Sequence, residues 1–368
     1  MAYHLYIGII IMESPQNIKK RLKSVDNINK ITKAMEMVAA TKMRKSQEIA
    51  LASRPYAFAA LDFLATISSL DEKLPELFKK RNVKKVLFVL VSSDKGLAGA
   101  FNSSVFKKFE QHLSLTNFED DEGNENVGGE NSSKLVRDKK EKYKEWKKEE
   151  HLYIAVGEKA FNYLTKKGFN VIKKFIAVGD YTTTEQVRPL VDFLVQGYLR
   201  GGDEKKWPAS NASGVANAGW DRVVIVSTHF RSALKQEPHV RRILPIDFDH
   251  IADTIKQIIP ERGKFADLIK EHHITFIPVK SKLKQYLIEP SPKEVLEKLA
   301  RHLFFIQVYH LILEANASEH SARRMAMKTA SDNASDLGEA LNLQYNKSRQ
   351  SRITTEISEI SAGAEALN

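Results

Sequence analysis

From Ser291-Pro292 to Asn368 the chain contains no further proline, and only Gly338 and Gly363 interrupt it as potential weak points. Leu303, Ile306, His310, Leu313 and Ala317 recur in steps of three and four, as do Leu337, Leu341 and Tyr345, and then Ile353, Ile357 and Ile360. That periodicity is one face of a helix. A helix from Pro292 to Ala362 would be roughly 105 Å long at 1.5 Å per residue. A single compact domain cannot contain it, so it must project or pair with another long helix.

The first part of the chain supplies the partner. Ser14-Pro15 is a helix start, with serine as N-cap and proline at the first helical position. Ile18, Leu22, Val25, Ile28, Ile31, Met35 and Val38 then repeat at helical spacing, with no proline until Pro55. The expectation is an antiparallel coiled coil of the two ends of the chain. Its spacing departs from strict heptads, and His310 and Ala317 are weak core positions, so an irregular coil is expected. Between Glu13 and Phe58 ten Lys/Arg face four Asp/Glu, giving an apolar stripe on a basic helix.

The stretch between reads differently. Lys85–Val91 is a continuous apolar run typical of a buried strand, and Leu152–Val156, Asn170–Phe175, Val223–Val226 and Ile274–Val279 are further strands. Glu158–Lys166 and Thr184–Leu199 read as helices between them. Alternating strand and helix predicts a parallel sheet with covering helices. Asn117–Glu150, polar and charged, and Gly201–Gly219, rich in Gly, Ala, Ser and Asn, read as surface insertions. The expected organisation is an N-terminal helix over 13–74, an α/β domain over 83–288 with insertions at 117–150 and 201–219, and a C-terminal helix over 291–368.

Composition narrows function. The net charge of +11 suits acidic partners: nucleic acid, a membrane surface or acidic protein loops. With no cysteine there is no thiol nucleophile, disulfide or zinc–cysteine site. Ile7–Met12 is too short to span a bilayer and lacks signal-peptide features, and Met12 offers an alternative start. No HExxH or GxSxG pattern occurs, and the adjacent His272-His273 are a weak metal candidate. Val91–Asn102, VSSDKGLAGAFN, lacks the Gly-Lys-Ser/Thr ending of a phosphate loop, so it reads as a structural turn. Asp94 would cap the following helix or support that turn. No catalytic residue, metal ligand or cofactor-binding residue is assigned.

Four motifs carry a resemblance. Asn29–Gln47, NKITKAMEMVAATKMRKSQ, is similar almost residue for residue to the N-terminal signature of ATP synthase gamma subunits, and Ser53-Arg54-Pro55-Tyr56 continues it. Val91–Asn102 resembles the strand-and-turn signature of that family. Ala317–Asn333, ASEHSARRMAMKTASDN, and Leu343–Ile360, LQYNKSRQSRITTEISEI, match at the other end. The resemblance covers the chain from about Met12 onward, except the two insertions.

The resemblance implies a long antiparallel coiled coil of the two terminal helices with an inserted Rossmann-like α/β domain, turning inside a ring of three alpha and three beta subunits. It implies epsilon and a membrane ring of c subunits as further partners, with proton or sodium flow driving rotation. It places the chain at the bacterial plasma membrane, peripheral on the cytoplasmic side, without a cofactor or an active site of its own. Lys42, Arg44 and Lys45 are expected to meet acidic beta-subunit loops through exchangeable contacts, each worth roughly 0–1 kcal/mol. The family places the neighbourhood of Met35 across the coil from Arg349, Gln350 and Thr354, and these engage a beta-subunit loop, with Glu356 among them. Arg352 stands where the family often has a small residue; it adds a ring contact or lies in water. The alternative reading is a nucleic-acid-binding protein with a basic coiled-coil arm. It lacks any known basic-region, RRM or zinc-finger pattern. The insertion at Asn117–Glu150 is read as solvated surface, with regulation or dimer bridging as the other option.

Overall fold

Ser14 and Ser291 start the two long helices. The amide of Asn17 donates to Ser14 Oγ at 3.4 Å, and that of Glu294 to Ser291 Oγ at 3.3 Å. A computed structural model describes residues 14–52, 75–114, 150–178, 182–201, 219–246 and 289–365. The expected strand Ile274–Val279, His272-His273, Ser53–Tyr56, most of both insertions and residues 53–74 lie outside them. The elements are α1 (Pro15–Ala52), a short 3-10 turn (Glu76–Phe78), β1 (Lys85–Val91), α2 (Phe101–Ser114), β2 (Glu150–Val156), α3 (Glu158–Lys166), β3 (Val171–Phe175), α4 (Thr184–Arg200), β4 (Arg222–Phe230), β5 (Gln236–Leu244) and α5 (Pro292–Glu365). The chain divides into two units. One comprises Met1–Ala39 with Arg323–Asn368, the other Ala40–Ala322, so the division falls within both long helices.

In the first unit α1 and α5 run antiparallel. Ser331 bonds Asn29, and a methyl group on Gly338 would lie 3.9 Å from Val25 Cγ1. On α1, Ile18, Thr32 and Ala39 are buried and Leu22, Val25, Asn29 and Glu36 half-buried. On α5, Met327, Ser331, Ala334 and Leu341 are buried and Gly338, Tyr345 and Ser348 half-buried. Both sets alternate steps of four and three, the heptad rhythm of a coiled coil. The seam is therefore more regular than expected, and the predicted stripe supplies only part of it: Ile18, Leu22, Val25, Leu341 and Tyr345 are seam positions. Ile28, Ile31 and Val38, read as seam positions, are 51%, 59% and 54% exposed. Leu337, Ile353, Ile357 and Ile360 are exposed as well. Small side chains at Ala39, Ser331, Ala334 and Gly338 take some seam positions, and Ile28, Ile31, Val38 and Leu337 lie at heptad positions outside it.

The second unit holds a five-stranded sheet of order β3-β2-β1-β4-β5. β1 to β4 are parallel, and β5 returns antiparallel beside β4. The sequence reading missed β5. Its Pro238 and the charged Glu237, Arg241 and Arg242 argue against a buried strand, but Pro238 is tolerated on a strand with one neighbour among the described strands. Alternate residues of β1 feed two cores. Leu87, Val89 and Val91 pack with α4 and with the first part of α5. Val86, Phe88 and Leu90 pack with Val105 and Phe109 of α2 and Ala160 and Leu164 of α3. Gly197 of α4 admits the Trp220 ring, which a Cβ there would meet at 1.9 Å, and the indole N–H donates to Leu194 O at 3.1 Å.

One part of the coil expectation is corrected here. Leu303, Ile306 and Leu313 belong to the core of the α/β unit, with Val308, Leu311 and Ile312 between them. From 306 to 321 α5 is buried on every side, His310 and Ala317 included. A helix enclosed all round shows apolar residues at every angle, which weakens any single stripe.

Candidate functional site

Parallel α/β sheets hold ligands where strands end and helix N-termini point. Here that ledge is filled by the chain itself. After β1, Ser92 Oγ accepts from the amide of Ala160 at 2.6 Å, Ser93 O from Lys159 at 3.1 Å, and Asp94 Oδ1 from Glu158 at 3.0 Å. The first three amides of α3 are thus taken. Asp94 Oδ2 also accepts from Ala177 beyond β3 at 2.9 Å, and Asn102 ties down Ser93. Gly157 makes the approach feasible: its φ is +94°, and a Cβ would lie 2.2 Å from Ser92 O. The turn reading of Val91–Asn102 stands, with one change. Asp94 caps α3, which follows β2, rather than the helix that follows its own turn.

The expected contact residues fall in both units. In the first, Met35 is half-buried, and Arg349, Gln350, Thr354 and Glu356 are exposed. They do not meet across the coil. With Ser331 against Asn29, Met35 lies opposite about residue 325 of α5. Arg349 falls about level with the start of α1 or beyond it, so the register separates the two groups by several turns. Every residue from 351 to 364 is exposed. Arg352 pairs within the helix, its Nε 3.0 Å from Glu356 Oε1, and Thr354 Oγ1 donates to Gln350 O at 3.0 Å. In the second unit Lys42 is half-buried and Arg44 and Lys45 are exposed on the α1 turns that bury Met43 and Ser46.

The surface that sequence reading missed is apolar. Ile28, Ile31, Met37 and Val38 on α1, and Leu337, Leu343, Ile353, Ile357 and Ile360 on α5, are large side chains left in solvent. Large apolar side chains exposed along both helices make this a candidate contact surface. The available signal was the small-residue rhythm at Ala39, Ser331, Ala334 and Gly338, which identifies the true seam and leaves these residues outside it.

Comparison with known proteins decides the family. A family model described as ATP synthase matches residues 14–128 and 124–367. The ATP synthase gamma chain of Herpetosiphon aurantiacus is 34% identical over 361 residues, covering 97% of this chain and all of the relative. This chain belongs to the ATP synthase gamma-chain family. The gamma chain of Mycolicibacterium vanbaalenii is 33% identical over 355 residues, covering 96% and 97% of the two chains. A chain from the Euglena gracilis mitochondrial ATP synthase, in a structure of its OSCP, F1 and c-ring parts, shares the fold at 16% identity. Its TM-score is 0.53, over 96% of this chain and 94% of that one. Among the described residues no helix is long and apolar enough to cross a membrane, and no three His, Asp or Glu side chains are grouped to hold a metal.

Proposed function

We propose that this chain is the turning central shaft of an ATP synthase, coupling proton or sodium flow through a membrane ring to ATP synthesis or hydrolysis on beta subunits. The family carries that role. The observation that best supports it in this chain is the pair of long antiparallel helices that share a heptad seam while Ile28, Ile31, Val38, Ile353, Ile357 and Ile360 face outward. A shaft needs a surface that partners can slide over. Non-directional apolar contact meets that need, because no bond geometry favours one angle.

Met35, Lys42, Arg44 and Lys45 on α1, and Arg349, Gln350, Thr354 and Glu356 on α5, are the polar and flexible contacts to the surrounding alpha and beta subunits. Exposed charges contribute little each, so they exchange as the shaft turns. Epsilon and the c-ring are the partners of the α/β unit. The chain is non-catalytic in this reading: the helix terminus that would cradle a phosphate is occupied by Ser92, Ser93 and Asp94. It sits peripherally on the cytoplasmic face of a bacterial plasma membrane.

The test is affinity purification of the tagged chain from detergent-solubilised membranes. Alpha, beta and epsilon subunits and the c-ring should co-purify, with ATPase activity. Replacing Arg349, Gln350, Thr354 and Glu356 together by alanine should lower ATP turnover while the complex still assembles. Recovery of the chain alone, beside an intact ATPase lacking it, would refute the reading.

A further inference from the structure

A shaft must not turn inside its own body. Burial energy is non-directional, so an apolar socket sets the angle of a helix about its axis only through the fit of its side chains. Hydrogen bonds have direction, and α5 carries them where it is enclosed. Tyr309 Oη donates to Thr182 O at 2.9 Å. Asn316 Nδ2 donates to Thr182 Oγ1 and to Val178 O, the latter at 3.3 Å. Glu314 Oε2 lies 3.1 Å from His229 Nδ1 and 3.7 Å from Arg241 Nη1. Ser321 Oγ donates to Ala233 O at 2.8 Å.

The spacing of these residues matters more than their number. At about 100° per residue, Tyr309 and Asn316 share one line of the helix and Glu314 and Ser321 share another, the lines being about 140° apart. The first line is held by the segment between β3 and α4. The second is held by β4, β5 and the turn joining them. Rolling α5 in either sense must break bonds on both lines together. All four side chains are buried, so water cannot replace a broken bond.

We infer that Tyr309, Glu314, Asn316 and Ser321 form a rotational key that locks α5 to the α/β unit and so transmits torque between them. The inference rests on the shaft reading. In this reading they are positioning residues, and thermodynamic stability is not their only measure. The key predicts slippage: ATP turnover continues while less ion is moved per ATP.

The experiment uses the whole complex in inverted membrane vesicles, with ion uptake followed by a pH-sensitive dye or by radioactive sodium. Asn316→Leu keeps the heavy-atom branching of the side chain and removes two bonds. It should leave assembly and ATPase rate near normal and lower ion uptake per ATP against an opposing gradient by about thirtyfold, the factor that two buried hydrogen bonds represent. The chain has no cysteine, so a Thr182→Cys, Asn316→Cys pair is a clean second arm. Reduced, it should slip; oxidised to the disulfide, it should regain coupling. An unchanged ratio in Asn316→Leu, or equal ratios in the two redox states, would overturn the key. Failure of the cysteine pair to assemble even when oxidised would overturn it too, since the residues would then serve folding. Failure of the unaltered chain to assemble with an ATPase would instead sink the shaft reading.

Discussion

Ser331 Oγ donates to Asn29 Oδ1 across 2.6 Å, joining α5 to α1 at a level where both helices present short side chains. The bond fixes register where apolar contact alone would permit sliding, as single polar seam residues do in other coils. Ser331→Ala should cost about 1 kcal/mol, because the Asn29 carboxamide loses its partner. Ala334→Leu should cost about 1–3 kcal/mol by overpacking the seam. Thermal melting of the purified chain followed by circular dichroism checks both, and a leucine at 334 without effect would mean the helices are not closely apposed.

The turn after β1 predicts an intolerant glycine. Gly157→Ala places a methyl group against Ser92 O in a backbone region that L-residues avoid. It should destabilise the α/β unit by about 3 kcal/mol or more. Loss of soluble protein, or an early near-ultraviolet transition, is the expected readout; Gly168→Ala, where nothing lies within reach, is the comparison.

Exposed apolar side chains should matter for partners and not for folding. Ile357→Ser with Ile360→Ser should leave the melting temperature of the isolated chain within the effect of about 0.5 kcal/mol expected for surface changes. If each isoleucine contributes about 1 kcal/mol on burial, the pair should weaken binding to an alpha–beta ring by tenfold or more. Reconstitution of the ring with increasing chain, read by ATPase activity, gives the ratio.

His239 predicts a pH dependence. Burial, with Arg241 and His229 beside it, depresses its pKa from 6.5 to about 4, against the opposing pull of Glu237 and Glu314. The folded state therefore resists protonation while the unfolded chain accepts a proton near pH 6.5. Stability falls as pH drops from about 6.5 to about 4 and the penalty is complete below that. His239→Gln should flatten this part of the melting-temperature curve. Parallel curves for the two proteins across that window would remove His239 as the cause.

Much of the architecture was legible because local signals and packing agree. Ser14-Pro15 and Ser291-Pro292 begin helices, Lys85–Val91 is a central strand, and Glu158–Lys166 is a helix at those bounds. Legibility failed where packing overrode apolar count. Ile28 and Val38 look like core, yet the alternation of four and three set by Ile18, Leu22 and Val25 puts Asn29 and Ala39 in the seam and leaves Ile28 and Val38 in solvent. β5 was hidden by its charges, of which Arg241 lies 3.7 Å from Glu314 in the folded unit. The expected facing of Met35 and Arg349 failed for a different reason: motif likeness carries no register, and the Asn29–Ser331 bond does.

The occupied terminus of α3 also has a consequence for anyone seeking to inhibit such a rotor with a small anion. Asp94 is tethered, so it competes for the amide of Glu158 at an effective concentration no free carboxylate or phosphate can match. Screening effort spent on the customary α/β ledge would meet a plug that is part of the polypeptide. The vulnerable surface is the sliding one.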